Sequence, residues 1–265
     1  DITPEMIRQI PGVGGLVWAL HDKQPGEIWT VEEIEKVRAR IEGAGFHMDV
    51  VESVNVHDDI KIGLPTRDQY IENYKTTLKN LAKFGVKVVT YNFMPIFDWT
   101  RTDLFHPLED GSNALYYEKS KIQDDYKEMA EYILKNLHGK TFPGWEPERM
   151  AKLDELFEAY RPVTKEKLWE NLQYFLEAIM PTCHETGIKM AIHQDDPPWD
   201  IFGIPRLLCD KESIGRFLHM VDDEYNCLCL CSGSLGANME NNLADIIRTY
   251  CDRIAFAHIR NLRHY

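Results

Sequence analysis

Apolar runs of strand length recur along the chain and are separated by stretches with the period of an amphipathic helix. In the first of these stretches, Val31, Ile34, Val37 and Ile41 fall on one helical face. The runs predicted as strands are 15–20, 48–53, 86–93, 188–193, 227–231 and 254–259. The stretches predicted as helices are 31–43, 67–84, 164–186 and 238–250.

The alternation of strands and helices predicts βα units around a parallel sheet. A doubly wound nucleotide-binding sheet is disfavoured, because the glycine-rich segment 12–15 precedes a strand instead of following one. We therefore predict an α/β fold of the (β/α)8 TIM-barrel type, with residues 1–265 forming a single domain. Six strands are predicted where such a barrel has eight. We expect the first and eighth strands to lie outside the sequence, before residue 1 and after residue 265.

The segment 94–163, between the third and fourth predicted strands, is too long for an ordinary βα loop. It is rich in aromatic and acidic residues. We predict that it forms a cap over the catalytic face of the barrel, helical around 119–137 and 147–159.

Composition narrows the function classes. The net charge of −13 argues against a nucleic-acid partner, since phosphate binding needs a basic surface. No apolar run approaches the length of about 20 residues that a membrane helix requires. The six cysteines are sparse, and three of them alternate along 227–231, so they do not form a disulfide framework. A reducing cytoplasm is the expected location.

The carboxyl ends of barrel strands carry the chemistry of this fold, so the residues at these positions are the candidates for a site. Two histidines and a cysteine, His193, Cys231 and His258, end three consecutive predicted strands. Imidazole and thiolate bind divalent transition metals, whereas a single histidine or cysteine at a strand end is more often structural. Cys227 and Cys229 are expected to pack inside the barrel. The other residues at strand ends are Glu52, Tyr91 and Asn92.

Several motifs together resemble the D-mannonate dehydratase family. They cover the chain in the family's order: VESVNVHDDIKIG (51–63), RDQYIENYKTTL (67–78), YNFMPIFDWTRTDL (91–104), IHQDDPPW (192–199), CSGSLG (231–236) and HIRN (258–261). The DWTR and HQDDPP blocks are the specific ones, whereas CSGS alone would be a weak signal.

The resemblance implies a xylose-isomerase-like TIM barrel that uses Mn²⁺ or Fe²⁺ and no organic cofactor. It implies a hydro-lyase of hexuronate catabolism that converts D-mannonate to 2-keto-3-deoxy-D-gluconate, and a homodimer. His193, Cys231 and His258 match the family's first three metal ligands. The family's fourth ligand is an aspartate on the eighth strand, which we expect after residue 265 together with the acid–base pair.

Dehydration of this sugar acid needs loss of the C2 proton, stabilisation of the resulting enediolate by a divalent metal, and loss of the 3-hydroxyl. Arg101 of the DWTR block is predicted to bind the substrate carboxylate or a hydroxyl through its bidentate guanidinium. Asp195 is the acid near the metal that we consider for proton transfer. Asn92, Arg260 and Asn261 are predicted to bind substrate hydroxyls.

Two alternatives stay open at this point. One is a metal-dependent sugar isomerase or endonuclease of the same barrel type, although acidity disfavours the endonuclease and acidic ligand clusters expected for two hard metals are not seen. The other is a degenerate barrel that binds a sugar acid without turnover.

Overall fold

A computed structural model describes residues 2–122, 126–136 and 150–265, and its centre is a five-stranded parallel sheet. The sheet strands are β1 (Val50–Glu52), β2 (Val88–Tyr91), β5 (Lys189–His193), β6 (Asn226–Cys231) and β7 (Ile254–His258). Their spatial order, β1-β2-β5-β6-β7, follows the chain without a reversal. This order is typical of a TIM-barrel-like α/β fold, whereas a doubly wound sheet reverses direction at a switch point.

Ten α-helices are assigned in the described residues. They are α1 (Pro4–Arg8), α2 (Val31–Gly43), α3 (Asp58–Ile62), α4 (Arg67–Ala82), α5 (Tyr126–Asn136), α6 (Leu153–Tyr160), α7 (Lys165–Thr186), α8 (Lys211–Met220), α9 (Ser232–Gly236) and α10 (Leu243–Tyr250). Short 3₁₀ turns occupy Lys119–Lys121 and Cys251–Arg253. None of the helices assigned there is long and apolar enough to cross a membrane.

The helices α2 and α7 match their sequence predictions closely because their ends carry strong local signals. Thr30 and Glu33 form a reciprocal capping box at the start of α2. The side chain of Thr164 accepts a hydrogen bond from the Lys167 N–H at the start of α7. Gly187 ends that helix at φ +69°, a left-handed conformation that glycine adopts without strain. The prediction for 238–250 is too long, because α10 begins only after its cap residue Asn242.

The predicted strand 15–20 does not form a continuous strand. Two isolated parallel bridges, Gly15 to His47 and Trp18 to Val51, hold it beside β1. The register shifts by one residue between these bridges, which interrupts the ladder. The segment therefore lies where a neighbouring strand was expected but lacks the regular pairing.

The first part of the segment 94–163, ahead of the predicted helices, contains an antiparallel hairpin that was not predicted from the sequence. Strands β3 (Asp103–Pro107) and β4 (Asn113–Tyr116) pair there, and Gly111 takes φ +83° in the turn between them. The Asp110-Gly111 dipeptide is typical of hairpin turns, but the prediction for this segment considered helices alone. Helix α5 lies within the predicted range 119–137, and α6 overlaps the predicted range 147–159. Residues 123–125 and 137–149 lie outside the described residues.

An aromatic cluster fixes the helices to the sheet. The ring of Phe175 in α7 packs against Tyr74 of α4 at 5.1 Å and against Tyr91 of β2 at 5.9 Å between centroids. Such edge-to-face pairs stabilise a core beyond the area they bury. Strands β2 and β6 are buried along their whole length, as expected for parallel strands that are covered on both faces.

Candidate metal centre

Three potential metal ligands meet at one edge of the sheet. His193, Cys231 and His258 are the last residues of β5, β6 and β7, and these strands are neighbours in the parallel ladder. One donor atom from each residue lies within 4.8 Å of the other two. Parallel strands present their carboxyl ends at the same edge, and the ends of these three neighbouring strands bring the side chains together.

The imidazole of His193 is oriented by a hydrogen bond to the chain itself. Its Nδ1 lies 2.6 Å from the carbonyl oxygen of Gln194, so Nδ1 carries the proton and donates it. This tautomer leaves the lone pair on Nε2. Metal-ligating histidines are typically held by such a bond from the opposite nitrogen.

The thiol of Cys231 is held as a thiolate. It is buried, and the Arg260 guanidinium donates to its Sγ at 2.9 Å while Ser234 donates from its backbone N–H and its hydroxyl. Although burial by itself would raise it, interactions with His193, His258 and Ser234 lower the pKa of Cys231 to about 4. The thiolate is the form of cysteine that binds metal ions.

The imidazole of His258 lies between anionic groups. Its Nε2 is 2.7 Å from a carboxylate oxygen of Glu52 and 3.4 Å from the Sγ of Cys229. Hydrogen bonds to Cys229, Cys231 and Glu52 raise the pKa of His258 to about 12 despite its partial burial. The surroundings of this ring are therefore negatively charged.

Arg101, predicted to bind the substrate, is already paired with a carboxylate in this structure. Its two terminal nitrogens donate to the two oxygens of Asp196 at 2.6 and 2.9 Å. Both side chains are largely buried, with 14% and 6% of their surface exposed. The bidentate guanidinium is thus paired within the protein. Its binding of the substrate carboxylate or a hydroxyl stays a prediction.

Asp196 connects the segment 94–163 to the sulfur ligand. Besides Arg101, it accepts hydrogen bonds from the Ser234 hydroxyl at 3.1 Å and from Arg260 at 3.2 Å. Burial would raise the pKa of Asp196, but the hydrogen bonds from Arg101 hold it well below its usual range. Asp196 is therefore a permanent carboxylate that links Arg101, Arg260 and, through Arg260, Cys231.

Asp195, predicted to transfer protons, points to a different partner. Its carboxylate accepts the backbone N–H groups of Leu207 and Leu208 at 3.1 and 2.7 Å and lies 3.6 Å from the buried Arg206. Only 3% of its surface is exposed, and burial raises the pKa of Asp195. These contacts anchor the segment 206–208 to Asp195. The proton-transfer role of Asp195 stays a prediction.

The three residues predicted to bind hydroxyls differ in their surroundings. Asn92 is half-buried, and its side-chain oxygen accepts the N–H of Met94. Arg260 keeps 41% of its side-chain surface exposed while contacting Cys231. Asn261 is exposed just beyond β7. Of the three, Arg260 is the one that contacts the His193, Cys231 and His258 cluster directly.

Sequence reasoning missed the roles of Asp196, Ser234 and Glu52. Glu52 was visible only as a residue at a strand end. Asp196 follows Asp195 in the HQDDPP block, and successive side chains of an extended segment point in opposite directions. That alternation was the available signal that one of the two aspartates would face the site and the other would not.

Comparisons with known proteins agree on one family. The family model described as D-mannonate dehydratase (UxuA) matches residues 1–265. The mannonate dehydratase of Endomicrobium trichonymphae is 59% identical over 260 residues, which cover 98% of this chain and 71% of that protein. The mannonate dehydratase of Bacillus subtilis is 52% identical over 265 residues, covering 100% of this chain and 74% of that protein.

A solved structure supports the same relationship. The crystal structure of mannonate dehydratase from Streptococcus suis serotype 2 superposes with a TM-score of 0.85 at 42% sequence identity. The match covers 98% of this chain and 69% of that chain.

Proposed function

Because the chain belongs to the D-mannonate dehydratase family over residues 1–265, we propose that it removes water from D-mannonate at the cluster of His193, Cys231 and His258. The product expected from this hydro-lyase reaction is 2-keto-3-deoxy-D-gluconate. The observation that carries the proposal is the convergence of two imidazoles and a thiolate within 4.8 Å at the catalytic edge of the sheet.

We further propose that the cluster holds one divalent metal ion, Mn²⁺ or Fe²⁺. The donor set fits such an ion, since Cys231 is ionised near neutral pH and the Gln194 carbonyl fixes the tautomer of His193. A thiolate ligand favours the softer Fe²⁺ and Zn²⁺ over Mn²⁺. Adding Mn²⁺ and Fe²⁺ separately to the metal-free protein decides between these two ions. When bound, the ion would supply Lewis-acid stabilisation of the negative charge that develops as the C2 proton leaves.

The chain's own residues would provide binding and charge balance around this centre. We propose that Arg260 has two roles: it neutralises the Cys231 thiolate, and its exposed part offers donors to the carboxylate or a hydroxyl of the substrate. Asn92 and Asn261 remain candidates for contacts with substrate hydroxyls. Asp196 keeps Arg260 in place through its buried carboxylate, and Arg101 holds Asp196.

Two broader predictions belong to the same proposal. We propose that the five-stranded sheet is part of a closed eight-stranded barrel, which the sequential strand order supports. We also propose a homodimer, which sedimentation of the purified protein would test.

The test of the proposed function is product formation from D-mannonate by protein made from its complete coding sequence. The enzyme is stripped of metal with a chelator, and Mn²⁺ or Fe²⁺ is then added back. We expect formation of the 2-keto-3-deoxy acid that depends on added metal. Failure to form product by folded protein that has bound metal would contradict the substrate assignment. Full activity after complete metal removal would contradict the metal centre.

A further inference from the structure

Glu52 contacts the candidate metal centre although it lies on the outermost strand farthest from β7 in the sheet order. It ends β1, whereas His258 ends β7, and these are the two outermost strands in the order β1-β2-β5-β6-β7. The Oε2 of Glu52 nevertheless lies 2.7 Å from the Nε2 of His258, across 206 positions of sequence. The sheet is therefore curled so far that the carboxylate at the end of its first strand contacts the imidazole at the end of its last strand.

The Glu52 carboxylate supports the cluster without being one of its ligands. Among the described residues, the set whose donor atoms all lie within 4.8 Å of one another contains His193, Cys231 and His258 but not Glu52. An ionised carboxylate can only accept, so the imidazole donates its Nε2 proton to Glu52. The contact is partly shielded, because the side chains of His258 and Glu52 keep 19% and 34% of their surface exposed.

The two histidines of the centre are thus supported differently. His193 donates to a neutral carbonyl, that of Gln194, whereas His258 donates to a charged carboxylate. A charged acceptor forms a stronger hydrogen bond, fixes the ring more firmly and adds negative charge beside the cation. Glu52 can therefore add negative charge to the centre, which the neutral Gln194 carbonyl beside His193 cannot do.

We propose that Glu52 is a positioning residue of the metal centre, which orients the His258 imidazole and increases the affinity for the divalent ion through its charge. The proposal rests on the function proposed above, because it requires His258 to be a metal ligand. Carboxylates that support ligating histidines in this way typically change metal affinity about 10–100-fold.

The test is a Co²⁺ titration of the metal-free protein, followed by the thiolate-to-cobalt charge-transfer absorption. Wild type is compared with Glu52→Ala, which removes the contact, and Glu52→Gln, which keeps an oxygen acceptor but loses the charge. Glu240→Ala, at an exposed site, is the matched control. Cys229→Ala removes the other group that contacts the same nitrogen of His258. The melting temperature of each metal-free variant reports whether folding is intact.

We expect Glu52→Ala to bind Co²⁺ about 10–100-fold more weakly, with Glu52→Gln in between and the control unchanged. The metal-free melting temperature of Glu52→Gln should stay close to that of wild type, which a purely structural role would not predict. Wild-type affinity in Glu52→Gln and Glu52→Ala overturns the role of Glu52 while leaving the metal centre standing. If Glu52→Ala does not fold, Glu52→Gln alone decides. Absence of Co²⁺ binding by wild type would overturn both the metal centre and this proposal.

Discussion

The strand ends and the loops that follow them contribute to the candidate site in different ways. The strand ends place His193, Cys231 and His258 at one edge of the parallel sheet, where Cys231 is paired with His258 and His193 with Cys229. The loops supply the charges around them: Arg101 from the segment 94–163 and Asp196 from the segment after β5. Ligand geometry is thus fixed by backbone pairing, whereas part of the charge balance around the ligands comes from side-chain pairs in the loops.

Two adjacent aspartates in the loop after β5, Asp195 and Asp196, have opposite environments. Asp196 lies against Arg101 and Arg260, and those contacts keep its pKa low although it is buried. Asp195 binds the backbone of 207–208, and burial raises its pKa. Neighbouring carboxyl groups whose pKa values are pushed apart serve separate purposes, here the site and the anchoring of a loop.

The largest expected effect separates two cysteines of the same strand. Cys231→Ala removes a ligand, so we expect metal affinity to fall by at least about 100-fold, the upper end of the effect of losing a supporting residue. Cys227→Ala should keep its metal, because Cys227 lies deeper in β6 and its Sγ donates to the Glu224 carbonyl. Metal content per protein after dialysis measures both variants. Equal metal content in the two would contradict the assignment of Cys231 as a ligand.

The next effect tests the loop contribution. Asp196→Asn removes the negative charge that pairs with a largely buried guanidinium, so we expect the free energy of unfolding of the metal-free protein to fall by about 3–5 kcal/mol. Glu166→Gln is the matched control, because Arg216 and Glu166 form a similar bidentate pair on the surface. Its effect should be much smaller, since water screens exposed pairs. Urea unfolding measures both. Equal losses of unfolding free energy in the two variants would contradict a larger contribution from the buried Arg101–Asp196 pair.

The smallest effect concerns pH. The folded pKa of Asp196 is lowered, so its stabilisation is present above the unfolded value of about 3.9 and is lost as the pH falls below it. We expect the difference in unfolding free energy between wild type and Asp196→Asn to be constant from pH 7 to about pH 5 and to shrink between pH 5 and pH 3. Urea unfolding at several pH values measures it. A difference that grows on acidification would contradict the ionised state of Asp196.

The parts of the fold that the sequence predicts well are those governed by local signals. The capping box of Thr30 and Glu33 marks the start of α2, and apolar runs mark β2, β5, β6 and β7. The hairpin between β3 and β4 was missed because only helices, at 119–137 and 147–159, were predicted within the segment 94–163. The run 15–20 has the apolar pattern of a strand, but the pattern does not reveal the register shift that breaks its ladder.

The sequence likewise predicts the three donors of the candidate site but not the side chains that surround them. The three donors follow from strand periodicity, since each ends its strand on the same edge of the sheet. The pairing of Arg101 with Asp196 spans 95 positions, and the contact of Glu52 with His258 spans 206. Such contacts depend on how the sheet curls and how the loops fold over it, and no local pattern encodes either.

The most direct test of the metal centre is a crystal structure of the protein grown with Mn²⁺, with diffraction data collected at the manganese absorption edge. We predict an anomalous peak in contact with the donor atoms of His193, Cys231 and His258. A bound Mn²⁺ that contacts none of these three residues, in crystals of protein active with manganese, would contradict the account.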